Sequence, residues 1–276
     1  MSCLMPFGVR KQSFRFSLCF DSEFSGTTGR STRDKATLTF RTPEKAPLRL
    51  RCGAGGSMLA QALFFGGNEL ANLYKGSEPV PADAVVLFNG KDLSNWHKRG
   101  SDDPAGWTVA DGYFEVKPGT GDICTKETFG SFQLHVEFWL PLMADCQGQA
   151  RANSGVYIQG RYEVQVLDSY GLDSKDDDCG GLYKLAAPML NAGRPPENWQ
   201  TYDIYFIAPK YNEHGVKTKN ARLSVLLNGV WIHHNLNLPQ PTPGNMDDNC
   251  GEPGPVLLQD HGNLIRFRNV WARPIG

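Results

Sequence analysis

Between Ala84 and Ala272 apolar and polar residues alternate in short runs separated by turn signals, the period-2 pattern of half-buried β-strands. The run FQLHVEFWL alternates without fault: Phe132, Leu134, Val136, Phe138 and Leu140 fall on one face, and Gln133, His135, Glu137 and Trp139 on the other. NSGVYIQGRYEVQVLD, residues 153–168, reads as a hairpin with Val156, Ile158, Val164 and Val166 on a core face and Tyr157, Gln159, Glu163 and Gln165 opposite. An odd loop, Gly160–Arg161–Tyr162, satisfies both strands and sets Gln159 against Glu163, Ile158 against Val164 and Tyr157 against Gln165. WTVADGYFEV predicts a hairpin turning at Asp111-Gly112, and ARLSVLLNGVWIHHN another at Asn228-Gly229, dipeptides that accept the positive φ of tight turns. VVLFNG (85–90), YDIYFIA (202–208) and LIRFRNVWA (264–272) complete the set.

The one helical candidate, Lys184–Ala192, is short and followed by Pro195-Pro196. Strands without crossover helices exclude a parallel α/β fold. Their number and length predict an all-β jelly-roll sandwich of two packed antiparallel sheets, spanning residues 82–276.

The start of the chain is different material. Residues 1–57 show no sustained period and hold ten Lys or Arg against four Asp or Glu, while the remainder holds 18 against 25. Residues 1–75 are therefore expected to be a disordered leader: a basic binding tail, a processed targeting segment, or sequence upstream of the true start. Met58 opens MLAQALFFGG, too short and interrupted for a clear signal peptide, and no run of 18 apolar residues exists to span a membrane. A net charge of −1 gives no support to a nucleic-acid partner.

Several polar clusters could carry chemistry. Glu163 is a candidate general base, because a carboxylate desolvated on a sheet face has its pKa raised toward neutrality; its bland alternative is a surface pair with Arg161. Asp173, Asp176, Asp177 and Asp178 crowd near Lys184 in an acidic loop whose spacing is not that of a calcium-binding helix-loop-helix. Trp199 offers a flat face for a sugar ring or for the core. His261, at a Gly-containing bend after Gln259-Asp260, is preferred over His135, His233 and His234. Cys124, Cys146, Cys179 and Cys250 have no CxxC spacing; two of the loop cysteines could be bridged or all could be idle thiols.

Taken together, FNGKDLSNW (88–96), GWTVADGYFEV, NSGVYIQGRYEVQVLDSYG, DDDCGGLYK, PPENWQTYDIYF and GPVLLQDHGNLIRFRNVW resemble, in order, the 3-keto-disaccharide hydrolase domain family of bacteria that process polysaccharides. The resemblance covers about residues 84–274. It implies a concanavalin-like jelly roll, an oligosaccharide or glycoside substrate, frequent export from the cytoplasm, and cleavage of 3-keto-glycosides by elimination across C1 and C2 with hydration of the product. That chemistry needs a base for the C2 proton, a group to stabilise the enolate oxygen and an acid for the leaving oxygen. On chemistry and position, Glu163 is assigned as base, Arg161 or Lys184 at the enolate oxygen, where a divalent metal could stand instead, and His261 as proton donor. Tyr157, Gln159, Gln165, Asp168 and Trp199 are assigned to hold the sugar. The alternatives are a non-catalytic carbohydrate-binding sandwich and a conventional glycosidase with two facing carboxylates.

Overall fold

The computed structural model describes residues 80–275, so the expectations for residues 1–75 lie outside the described residues. The larger, eight-stranded sheet orders β13 (Val230–Leu238), β12 (Ala221–Leu227), β9 (Trp199–Ile207), β6 (Phe132–Trp139), β15 (Arg266–Pro274), β4 (Tyr113–Glu115) and β3 (Thr108–Ala110), with β1 (Val85–Val86) also paired to β15. The five-stranded sheet orders β2 (Trp96–Lys98), β5 (Ile123–Phe129), β14 (Gly254–Leu258), β7 (Ser154–Ile158) and β8 (Tyr162–Val166). A separate ribbon pairs β10 (Lys210–Tyr211) with β11 (Lys217–Lys219). All pairings are antiparallel. This is the expected jelly-roll sandwich of concanavalin type.

The core lies between the two sheets. The alternate apolar positions of β6 (Phe132, Leu134, Val136, Phe138) and β9 (Tyr202, Ile204, Phe206) share one buried cluster with Val156, Ile158, Tyr162, Val164 and Val166 of the smaller sheet. Tyr162 packs on Phe206 with ring centroids 5.4 Å apart, and the Tyr202 hydroxyl donates to the Gln165 carbonyl at 2.6 Å, so the layers are joined by aromatic contact and a buried hydrogen bond. Asp111 and Gly112 turn β3 into β4 with φ of 49° and 80°, as their sequence predicts.

The register of the β7–β8 hairpin differs from the expected one in an informative way. Ile158 pairs Tyr162, Tyr157 pairs Glu163 and Gly155 pairs Gln165, and the loop is Gln159–Gly160–Arg161. Tyr162 was expected in the loop, but its ring gains more in the core, where it is 2% exposed, so the second strand starts one residue earlier and the first ends one earlier. The loop stays odd, the slip is an even number of residues, and every side chain keeps its face.

Residues 184–192 form no helix; the only helix among the described residues is the short 3-10 turn Gly148–Ala150. The chain there satisfies its backbone otherwise. Gln165 N donates to Gly181 O, Gly180 N to Gln165 O and Tyr183 N to Glu163 O, covering the free edge of β8, and Leu182 and Ala186 then exchange two hydrogen bonds. Cys124, Cys146, Cys179 and Cys250 are all free thiols, so the bridged alternative does not hold.

Candidate active site

The face of β7 and β8 turned away from the core carries Tyr157, Glu163 and Gln165, and none of it is open to bulk water. Glu163 is 2% exposed, Tyr157 and Gln165 1% each. Four segments wall this face in: residues 149–153 before β7, the strip 180–183 along β8, the loop 243–246, and residues 259–261 after β14. They enclose a cavity of about 120 Å³ lined by Gln149, Asn153, Tyr157, Glu163, Gln165, Tyr183, Pro243, Gly244, Gln259 and His261. The cavity is small and lined mostly by polar residues, sized for part of one sugar ring rather than for an extended chain.

Glu163 is the one carboxylate among the described residues that lines this cavity. Its Oε2 accepts the Tyr157 hydroxyl at 2.8 Å, and Gln259 Nε2 in turn donates to that hydroxyl at 3.3 Å. No cation faces it. Burial pushes its pKa up, the Tyr157 hydrogen bond offsets part of this, and the charge of Asp122 adds to the rise, leaving it at about 7. Burial and the adjacent Glu163 drive the Tyr157 phenol well above its ordinary range, so it stays a neutral donor.

Two glycines make this arrangement sterically possible. A Cβ on Gly155 would collide with Glu163 Oε1 and lie 3.0 Å from the Tyr157 ring, so the carboxylate can lie across β7 only because residue 155 lacks a side chain. At Gly244, with φ of +83°, a Cβ would sit 2.8 Å from the Tyr157 hydroxyl. Arg99 pins that loop: its guanidinium donates to Asp122 at 3.0 Å and to the carbonyls of Gly244 and Asn245 at 3.2 and 2.8 Å.

The amides of the cavity wall are oriented by their partners. Asn153 Nδ2 donates to the Gln149 backbone carbonyl at 2.7 Å and Gln149 Oε1 at 3.1 Å, and Gln165 Nε2 donates to Gln149 Oε1 at 2.9 Å. Because those partners are oxygens, neither amide can be flipped without loss. Asn153 Oδ1 and Gln165 Oε1 are left buried with no hydrogen-bond partner. Buried acceptors are seldom left orphaned, and both of these residues line the cavity.

Of the residues expected at the site, the fold brings together Tyr157, Glu163, Gln165 and His261. It places five elsewhere. Arg161 is in the hairpin loop, its Nε donating to Asp247 at 2.7 Å and its Nη1 to the Glu252 carbonyl at 2.9 Å, so its charge is spent on the neighbouring loop. Lys184 is exposed and paired with Asp177 at 2.6 Å; only its neighbour Tyr183 reaches the cavity. Gln159 has left the strand for the turn, with φ of 55°, and donates to the carbonyls of Phe129 and Gly130. Asp168 is buried against Arg151 Nε at 2.8 Å, behind the segment that carries Asn153. Trp199 opens β9 in the other sheet, where the Arg268 guanidinium lies 4.0 Å from its ring. Among the described residues there is no group of three or more His, Cys, Asp or Glu side chains that could hold a metal ion.

Gln149, Asn153, Tyr183, Pro243, Gly244 and Gln259 were not anticipated at the site, since residues outside the strands carry no period. The Pro- and Gly-rich stretch 239–246 between strands was the available signal.

Residues 83–273 match the family of the 3-keto-alpha-glucoside-1,2-lyase-like domain. The chain belongs to this family. A crystal structure at 2.13 Å resolution of a protein from Parabacteroides distasonis ATCC 8503, named as a candidate glycosyl hydrolase, is 36% identical with a TM-score of 0.64, over 74% of this chain and 96% of the other. A second such protein from the same organism, at 1.70 Å resolution, has 21% identity and a TM-score of 0.52 over 70% of this chain and 94% of its own, a likeness of fold alone. No curated protein matches the chain. Membership of the 3-keto-alpha-glucoside-1,2-lyase-like family supports a carbohydrate-active role, and no helix among the described residues is long and apolar enough to cross a membrane.

Proposed function

We propose that the chain cleaves 3-keto-glycosides by abstraction of the C2 proton and elimination at C1, with Glu163 as the base. The observation that carries this reading is a buried carboxylate, raised to about 7 and with no Lys or Arg beside it, as the one acid lining a small polar cavity that could take part of a sugar ring. A base needs a pKa near working pH and an unneutralised charge, and Glu163 has both. A conventional glycosidase needs a second carboxylate across the cavity, which the lining does not supply.

In this reading the C3 carbonyl acidifies the C2 hydrogen. Glu163 takes that proton, the C–H electrons move toward the carbonyl oxygen as an enolate, and their return forms the C1=C2 double bond and expels the aglycone oxygen. His261, exposed at the rim, protonates that oxygen, and Tyr157 with Gln259 fixes the direction of the carboxylate. Asn153 Oδ1 and Gln165 Oε1 accept from sugar hydroxyls. With Arg161 and Lys184 held elsewhere, the enolate oxygen is met by neutral donors, the Tyr183 hydroxyl and the amides of Gln149 and Gln259. Hydration of the released unsaturated sugar and a site of action outside the cytoplasm belong to the same proposal.

The test compares a 3-keto-glycoside with its parent glycoside. The purified chain should turn over only the first, because without the carbonyl the C2 hydrogen is out of reach of a carboxylate. Equal hydrolysis of the unoxidised glycoside would dismiss elimination, and sugar binding without turnover of either would favour a binding module.

A further inference from the structure

A second cavity, larger than the first, opens where the β10–β11 ribbon leaves the ends of β9, β12 and β13. Its volume is about 510 Å³, within the range of small-molecule sites, and it is lined by Ile207, Ala208, Lys210, Thr218, Lys219, Asn220, Arg222 and Asn237. Three of these eight are cations. No ion pair among the described residues involves Lys210, Lys219, Arg222 or the neighbouring Lys217. The charges are also out of keeping with the rest of the domain. Residues 207–222 hold four Lys or Arg and a single acid, Glu213, whereas the other residues of 58–276 hold 14 basic and 24 acidic side chains. Like charges gathered around one cleft repel one another, and an anion in the cleft would relieve that repulsion. Between them stand an exposed hydroxyl, Thr218, and two amides, Asn220 and Asn237, joined at 3.2 Å.

We propose that this cleft is a second, non-catalytic binding site for acidic oligosaccharides, taking their carboxylate or sulfate groups on Lys210, Lys219 and Arg222 and their hydroxyls on Thr218, Asn220 and Asn237. A small open cleft in a domain that is otherwise rich in acids suits a few anionic groups on a short glycan, while the surrounding negative charge works against a long polyanion such as nucleic acid. The inference stands on the cleft itself and does not require the reaction proposed for Glu163.

The experiment uses the full chain and a Lys219→Glu/Arg222→Glu variant, both carrying the basic residues 1–57, so that any difference between them reads the cleft. Binding is measured by titration calorimetry with a galacturonate hexamer, a sulfated dextran oligosaccharide, neutral maltohexaose and a single-stranded DNA oligomer, at two salt concentrations. The acidic sugars should bind, more weakly at higher salt, and the variant should lose at least tenfold in affinity for them while melting at the wild-type temperature. Preference for the carboxylate or the sulfate arm names the anion. Acidic-sugar binding equal in wild type and variant, lost instead in Asn153→Ala/Gln165→Ala, would return it to the Glu163 cavity and overturn the proposal. So would equal binding of maltohexaose, tighter binding of DNA, or no binding of either acidic sugar.

Discussion

Glu137 and Glu163 are both carboxylates buried on the outward side of a strand, one on each sheet, and they have opposite surroundings. Glu137 on β6 accepts Arg268 Nε at 2.6 Å and Asn269 Nδ2 at 2.9 Å, beside His135, whose Nδ1 is 2.7 Å from Asp203 and whose ring stacks on Trp271. Burial alone would raise the Glu137 pKa, but the hydrogen bonds from His135, Asn269 and Arg268 outweigh it and bring it to about 2. Glu163 receives one neutral hydroxyl and rises to about 7. Burial alone therefore does not set the direction of a carboxyl's pKa shift; the charged and hydrogen-bonding partners beside it do. On the larger sheet Glu137, His135, Asp203 and Arg268 answer one another, while Glu163 on the smaller sheet is buried without such a partner where a cavity opens.

The largest effect should come from removing the unanswered charge. Glu163→Gln keeps shape and hydrogen-bonding capacity but not basicity, so turnover of a 3-keto-glycoside should fall by about 100-fold or more. The same variant should be the more stable protein in mild base. A carboxyl raised from 4.5 to about 7 on folding imposes no penalty below pH 4.5, a growing one between 4.5 and 7, and its full cost above, roughly 3 kcal/mol. Urea melts at pH 8 should show that gain and melts at pH 4 should not; full activity in the variant would move the base elsewhere. In the wild type, kcat/KM should rise with pH through about 7 as Glu163 ionises.

Next in size is Gly155→Ala. The added methyl meets the carboxylate and the Tyr157 ring, so Glu163 must turn away from its hydroxyl partner, and kcat should drop by about tenfold or more with the fold retained. Unchanged kcat with wild-type stability would show that the crossing of β7 by Glu163 has no bearing on the chemistry.

Glu137→Gln sharpens the comparison from the other side. Breaking a buried, multiply paired charge should cost about 3 kcal/mol of stability and leave kcat/KM near the wild-type value. Its pH signature is set by two directions. The stabilisation from Glu137 is present above 4.5 and lost as pH falls through about 2, while that from His135, raised to about 9 as its carboxylate hydrogen bonds outweigh burial, is present below 6.5 and lost as pH rises through 9. The cluster is thus strongest between pH 4.5 and 6.5, and the variant should flatten the stability profile on both flanks.

This contrast explains what could be read from residues alone. Strand parity is a local property, so FQLHVEFWL and the β7–β8 hairpin disclosed their faces, and Glu163, Tyr157 and Gln165 stayed together although the register slipped. The other strands of that sheet were harder: β5 has Lys126, Glu127 and Thr128 all exposed in a row before buried Phe129, and β14 begins Gly254-Pro255, so neither shows a clean alternation. Whether a carboxylate has a cation beside it is a tertiary fact. Arg161 lies two residues from Glu163 yet is drawn to Asp247, and Arg268 reaches Glu137 across 131 positions. The cavity walls came from loops with no period to read.

The smallest effect should be at Lys184, which the sequence pointed to and the fold turns outward. Its ammonium is paired with Asp177 in an exposed loop, a contact in high dielectric that screening leaves with little worth. Its backbone, at φ of 59°, sits in the left-handed region, so the variant must not ask more of the chain than lysine does. Lys184→Gln meets that condition and removes only the charge. Melting temperature and kcat/KM on the 3-keto-glycoside should both stay at wild-type values. A tenfold loss of kcat with KM unchanged would mean that Lys184 abandons Asp177 and swings into the cavity during turnover; Glu163 would then acquire a cation in the working enzyme, and the contrast with Glu137 would hold only for the unliganded protein.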